Sequence, residues 1–146
     1  MPDSQTATVT NLLEHTLALA VQRVGDPAPL VYQRLFSQAP ELQALFVNDA
    51  QGSVRGEMFC RAIETLVDLA AGRPYADGMI ASERANHAML GVKNVQFDAF
   101  FQSIVDVLRD ALGADWTPPI DAAWRHALAQ VRAIHAHNDP AAARGT

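Results

Sequence analysis

Apolar residues recur every three or four positions along most of this chain, the spacing that gives a helix one buried face. The first run, Val9, Leu12, Leu13, Leu17, Ala20, Val21 and Val24, predicts a helix from about Gln5 to Val24, stopped by Gly25. Asp26 and Pro27 read as the N-cap and first residue of a second helix, which carries Leu30, Val31, Tyr32, Leu35 and Phe36 and ends before Pro40. A short helical turn, Pro40 to Phe46, follows directly. Asn48-Asp49 and Gly52-Ser53 mark Val47 to Ser53 as loop. Helical periodicity resumes with Val54, Met58, Phe59, Ala62, Ile63, Leu66 and Ala70 and stops at Gly72-Arg73-Pro74.

Tyr75 to Leu90 is helical but less cleanly patterned. Phe97, Phe100, Phe101, Ile104, Val105, Leu108 and Leu112 predict the next strong helix, closed by Gly113. Thr117, Pro118 and Pro119 supply a cap and proline start for the last one, whose stripe is Ile120, Ala123, Trp124, Ala127, Leu128, Val131 and Ile134. The polar, alanine-rich tail from Asn138 to Thr146 is expected to fray, leaving a helical core over about residues 5–136. There is no alternating strand pattern, hairpin signal or internal repeat, so the fold class is all-α.

A chain of 146 residues suits one domain with one core. With 49% apolar and 18% charged residues it reads as soluble and globular. No run nears the roughly 18 apolar residues of a membrane span. The amino terminus, Met1 to Thr6, lacks basic residues and an apolar signal core, so the expected compartment is the cytoplasm. A net charge of −5, with Lys93 the one lysine, argues against nucleic acid, which demands clustered cations. Cys60 stands alone, which excludes an internal disulfide and a cysteine cluster; it is expected to be a small buried hydrophobe. No phosphate-cradling glycine loop, Gly-x-Ser-x-Gly elbow or His-Glu-x-x-His pair is present.

The candidate chemistry lies in Asn86 to Phe97. His87 sits near a helix end, Gly91 breaks the helix, and an aromatic helix begins shortly after. Neutral imidazole is the commonest protein ligand for transition metals, and one axial histidine in an apolar pocket is a common way to hold haem iron. His15, His126, His135 and His137 lack such neighbours and read as surface residues or, for the last two, as partners of a helix dipole.

Together with its surroundings this stretch resembles the globin family. Pro40-Glu41-Leu42 followed by Phe46 resembles the short third helix that ends at a phenylalanine packed on the haem plane. Tyr32, fourteen residues before Phe46, stands where bacterial flavohaemoglobins and single-domain bacterial globins carry a distal tyrosine. His87 with Gly91-Val92 resembles the proximal histidine and the corner after it, and Leu112 to Pro119 leading to Ala123-Trp124 resembles the junction before the last helix. The resemblance covers roughly Leu12 to Ala136. It implies six to eight helices around one haem b (iron protoporphyrin IX), with His87 as the metal ligand and Tyr32 as a hydrogen-bond donor to a diatomic gas: oxygen, nitric oxide or carbon monoxide. Phe46, Leu90, Val92, Phe97 and Phe101 would complete the walls.

Helical phase extends the distal wall. With Met58 facing the iron, Val54 lies one turn earlier; the alternative register would bury Arg55, which desolvation makes costly. The distal side then has no His or Gln beside the ligand unless Gln51 reaches in from the loop. On the proximal side flavohaemoglobins carry a tyrosine ten residues after the histidine, and here that position is Phe97, without a hydroxyl. A histidine strengthened by such a donor favours oxygen activation, so its loss favours simple binding or sensing over nitric oxide dioxygenation. Glu83, one turn before His87, stands where an apolar residue is usual and has Arg84, Lys93 or a haem edge as possible partners. Three functions follow in order: reversible gas binding, a sensor acting on a partner in trans, and a dioxygenase. The sensor could use a homodimer face on the last two helices. The dioxygenase would depend on a separate reductase, since no flavin or nicotinamide domain is expected.

Overall fold

A computed structural model describes residues 4–134. His135, His137 and the tail expected to fray lie outside the described residues. Six α-helices span Ser4–Val24 (α1), Ala28–Gln38 (α2), Ser53–Ala70 (α3), Pro74–Met89 (α4), Asn94–Leu112 (α5) and Pro118–Ala133 (α6). Two 3-10 segments, Pro40–Phe46 and Gly113–Asp115, join them, and the described residues contain no strand. The all-α expectation holds, with boundaries within a residue or two of the predicted ones. Among the described residues no helix is long and apolar enough to cross a membrane.

The helix ends follow local chemistry. Asp26 Oδ1 accepts the Ala28 amide at 3.0 Å, which is the cap expected before Pro27. Thr117 takes the N-cap position of α6 in extended backbone, but its hydroxyl makes no cap bond. Asp121 instead uses its own amide, on the Thr117 carbonyl, and its carboxylate accepts from Trp116 Nε1 at 2.9 Å. At the far end of α5 the Arg23 guanidinium reaches across from α1 to the Leu112 carbonyl, at 2.7 Å, and to Asp115. A cation there answers both the orphan carbonyls and the negative end of the helix dipole.

Helix α5 is the central element, packing on α1, α2, α4 and α6, while α3 and α4 pack on each other. Leu13, Leu66, Ile104, Leu108, Leu112 and Trp124 are sealed from solvent where these helices meet. Buried hydroxyls do not disturb this core, because Thr16, Thr65 and Ser103 each donate to the carbonyl four residues back. The buried Asp106 carboxylate accepts from Arg34, Gln102 and Arg109, which ties α2 to α5. The apolar stripes of α5 and α6 pack inward in this core.

One expectation is corrected. Cys60 is exposed, not buried. The inward stripe of α3 runs through Phe59, Leu66 and Leu69, and at about 100° per residue Cys60 falls on the outer face.

Trp124 fills the largest fully buried position. Trp124→Ala is expected to lower unfolding free energy by about 3–5 kcal/mol, read from urea denaturation. Cys60→Ser, on the surface, should move the same curve by less than about 0.5 kcal/mol.

Candidate functional site

A cavity of about 350 Å³ opens between α3 and α4, with α2, the Pro40–Phe46 segment and α5 behind it. Its size falls within the roughly 300–1,000 Å³ of small-molecule and cofactor sites. Its lining is mostly aliphatic and aromatic, with Arg61, Glu64, Asp68 and Glu83 among the few charged residues. Of the residues expected at the site, His87, Tyr32, Phe46, Met58, Val92, Phe97 and Phe101 all line it.

Val54 and Leu90 are not brought to the cavity. Val54 is half exposed, and its amide donates to Asp49 Oδ1 at 3.1 Å in the first turn of α3. Leu90 is the C-cap of α4 and turns outward, 64% exposed. Gln51 is exposed and is not part of the lining.

The His87 side of the cavity is built by the end of α4. Gly91, at φ +90°, turns the chain back so that the Val92 amide reaches the His87 carbonyl at 2.9 Å. This left-handed closure, which glycine adopts without strain, also buries Val92 beside the cavity. One turn earlier, the Glu83 carbonyl lies 2.7 Å from His87 Nδ1. A carbonyl only accepts, so the ring proton sits on Nδ1 and the neutral imidazole keeps its lone pair on Nε2. The Glu83 carboxylate stands at 3.6 Å, outside hydrogen-bond range, and is half exposed. Neither Arg84 nor Lys93 partners it: the Arg84 guanidinium is buried and donates to Asp98 Oδ1 at 2.5 Å and to the Val131 carbonyl at 2.8 Å.

Tyr32 also lines the cavity and is 2% exposed. Its hydroxyl is buried with no hydrogen-bond partner among the described residues. Burial pushes the phenol well above its ordinary range, partly opposed by the positive charge of Arg55, with Asp49 adding to the rise. An orphaned hydroxyl costs about 1–3 kcal/mol, which a ligand accepting its proton would recover. Tyr32 is fixed by ring contacts to Phe46, Phe36 and Phe100, with centroids 5.5, 5.9 and 5.4 Å away.

Beside it, Asp49 holds the start of α3. Its carboxylate accepts the Val54 and Arg55 amides and Arg55 Nε, at 3.0–3.1 Å. Arg55 also donates to the Asp49 carbonyl at 2.7 Å. The guanidinium is thus turned to the loop and away from the deep pocket, as its desolvation cost requires. Burial alone would raise the Asp49 carboxyl, but the two amides and the guanidinium outweigh it and hold it below its usual range.

Several lining residues were not picked out from the sequence. Stepping three, four and seven residues from Met58 gives Arg61, Ala62 and Thr65, and stepping back seven from His87 gives Ile80. The same helical phase would have found them. Gln96 carried no sequence signal: it caps α5 through the Lys93 amide and donates to Glu41 at 2.6 Å, joining the 3-10 segment to α5 at the cavity edge.

A family model, Globin, matches residues 30–134, which span both sides of this cavity. The chain belongs to the globin family. No curated protein and no solved structure was found to match this globin. Members of the family typically bind haem, and through it diatomic gases such as oxygen. The residues here fit that group on their own chemistry: one imidazole with a free Nε2, an apolar slot, and a buried hydroxyl without a partner. Among the described residues no three His, Cys, Asp or Glu side chains converge on a metal site. His87 alone would not hold a bare ion, so iron would have to arrive within a macrocycle.

The lowered Asp49 carboxyl fixes the sign of an acid effect. A folded-state value below the unfolded one adds stability at neutral pH, which is lost as pH falls below about 3.8 through the folded value. The urea midpoint of Asp49→Asn should therefore fall less steeply than wild type below about pH 4.

Proposed function

We propose that this globin reversibly binds oxygen or another diatomic gas at a haem b whose iron is held by His87. The reading rests on one observation, the Glu83 carbonyl bonded to His87 Nδ1, which leaves Nε2 as the free donor in an apolar cavity. When bound, the haem supplies an iron centre with one position open to a gas.

The chain's own residues supply the rest. His87 would hold the iron through Nε2, and Val92, Phe97 and Phe101 pack its side of the slot. Phe46, Met58 and Tyr32 line the other. The Tyr32 hydroxyl is the polar group that meets the gas, as a donor that burial keeps protonated. A gas that takes up partial negative charge, as oxygen does, gains from that donor, and carbon monoxide gains less. The partner of Nδ1 is a neutral carbonyl, and the Phe97 ring beside His87 carries no hydroxyl. This leaves the imidazole an ordinary donor, which favours reversible binding over oxygen turnover. For that reason sensing in trans and reductase-dependent nitric oxide dioxygenation rank behind it.

Purified protein supplied with haem should show a Soret band that His87→Ala loses. A wild-type protein that takes up no haem would overturn the proposal. Tyr32→Phe should speed oxygen dissociation about ten- to a hundredfold, the equivalent of a charge-assisted hydrogen bond of roughly 1.5–3 kcal/mol. Stopped-flow displacement of oxygen by carbon monoxide reads the rate, and an unchanged value removes Tyr32 from the role.

A further inference from the structure

Arg84 is the one arginine with a sealed side chain among the salt-bridged arginines, at 2% exposure. Burying a guanidinium is expensive unless its donors are matched, and here the matching is incomplete. One donor goes to Asp98, one to the Val131 carbonyl of α6 and a long one, 3.4 Å, to Asn94. Nε has no partner. Replacing a buried ion pair as a whole by apolar side chains of similar volume is often neutral, so joining α4, α5 and α6 does not by itself call for a cation here.

Its position relative to the cavity is more telling. The guanidinium carbon lies over the Phe97 ring, 4.6 Å from the centroid. The same ring meets the His87 imidazole at 5.5 Å in a T-shaped contact of 69°. Arg84 is also three residues before His87 on α4, so both side chains emerge on neighbouring faces of one helix turn. Phe97 is thus held between a cation and the imidazole. The face of an aromatic ring is negative and attracts the guanidinium, which fixes the ring plane. The fixed ring in turn limits rotation of the imidazole, whose other restraint is the Glu83 carbonyl.

We propose that Arg84 is a positioning residue for His87, acting through Phe97. It sets the imidazole plane and places a positive charge behind the ring that opposes electron donation from Nε2. This rests on the haem-binding reading above for its electronic half. Its geometric half concerns the chain alone. Asp98, on the far side of the guanidinium and a quarter exposed, sets how much of that charge is felt. The Glu83 carboxylate acts in the opposite sense from the solvent side.

The test pairs two variants with opposite expectations. In haem-loaded protein, Arg84→Met removes the charge and should shift the one-electron ferric–ferrous equilibrium about three- to tenfold toward ferric, tenfold being about 59 mV. Asp98→Asn leaves the guanidinium uncompensated and should shift it toward ferrous. Arg84→Lys keeps the charge and should stay near wild type. A purely structural Arg84 predicts a fall in melting temperature with potentials unmoved, or moved in one direction by both variants, and either result overturns the proposal.

A haem-free readout separates this from the proposed function. Nuclear Overhauser contacts between the Phe97 and His87 rings should be present in the wild type and Arg84→Lys and weakened in Arg84→Met at unchanged helix content. Full-strength contacts in Arg84→Met overturn the geometric half. A wild type that takes up no haem overturns the gas-binding reading and the electronic half with it, while the ring contacts still decide the geometric half. Should Arg84→Met fail to fold, Asp98→Asn carries the test: a shift toward ferrous supports the proposal, and an unmoved potential or a shift toward ferric overturns it.

Discussion

A hydrogen bond of 2.7 Å between the Glu83 carbonyl and His87 Nδ1 decides what the cavity can do. Were the proton on the other nitrogen, the imidazole would face the slot as a donor N–H, with no lone pair for a metal. The bond exists because Glu83 and His87 are one helical turn apart, so the imidazole folds back onto the carbonyl four residues earlier. Gly91 ends α4 just beyond, so the turn that stops the helix also places the imidazole. The rest of the cavity is arranged around that fixed ring.

Helix α5 links the two sides. Phe97 touches His87, Phe101 touches Phe97 and Phe100, and Phe100 touches Tyr32, with successive ring centroids 5.4–5.5 Å apart. One aromatic row therefore runs along the cavity from the His87 imidazole to the Tyr32 phenol. Such rings pack rigidly and offer an apolar surface, which suits a flat cofactor. At the two ends polar groups take over: a buried cation behind Phe97, and the Asp49–Arg55 pair beside Tyr32. The same low polarity that keeps the Tyr32 hydroxyl protonated also leaves it without a partner, so a ligand that accepts its proton is rewarded.

The sequence revealed the helices and most of the cavity wall, because both depend on regular spacing. His87, Tyr32, Phe46, Met58, Phe97 and Phe101 were legible from position along the helices and from their resemblance to a known arrangement. Val54 was not, because helical phase gives direction around an axis but not how far the first turn of α3 extends past the cavity. That depends on the seven-residue span from Asp49 to Arg55, which folds back on itself through one carboxylate. Leu90 was misplaced for a similar reason, since a glycine-closed helix end turns its cap residue outward. Cys60 misled because an apolar neighbourhood in sequence is not an apolar face. The buried setting of Arg84 left no trace in the local pattern, for its partners lie on α5 and α6, up to 47 residues away.

In this structure His87 presents Nε2, bare, to the cavity. Long-range proton–nitrogen NMR on protein labelled with ¹⁵N at histidine reads this directly, first without haem and then after adding ferrous haem with carbon monoxide, which is diamagnetic. A proton on Nδ1 and an unprotonated Nε2 are expected in the haem-free protein, with Nε2 then shifting on haem addition while Nδ1 keeps its proton. A proton found on Nε2, or an Nε2 resonance indifferent to haem, would contradict it.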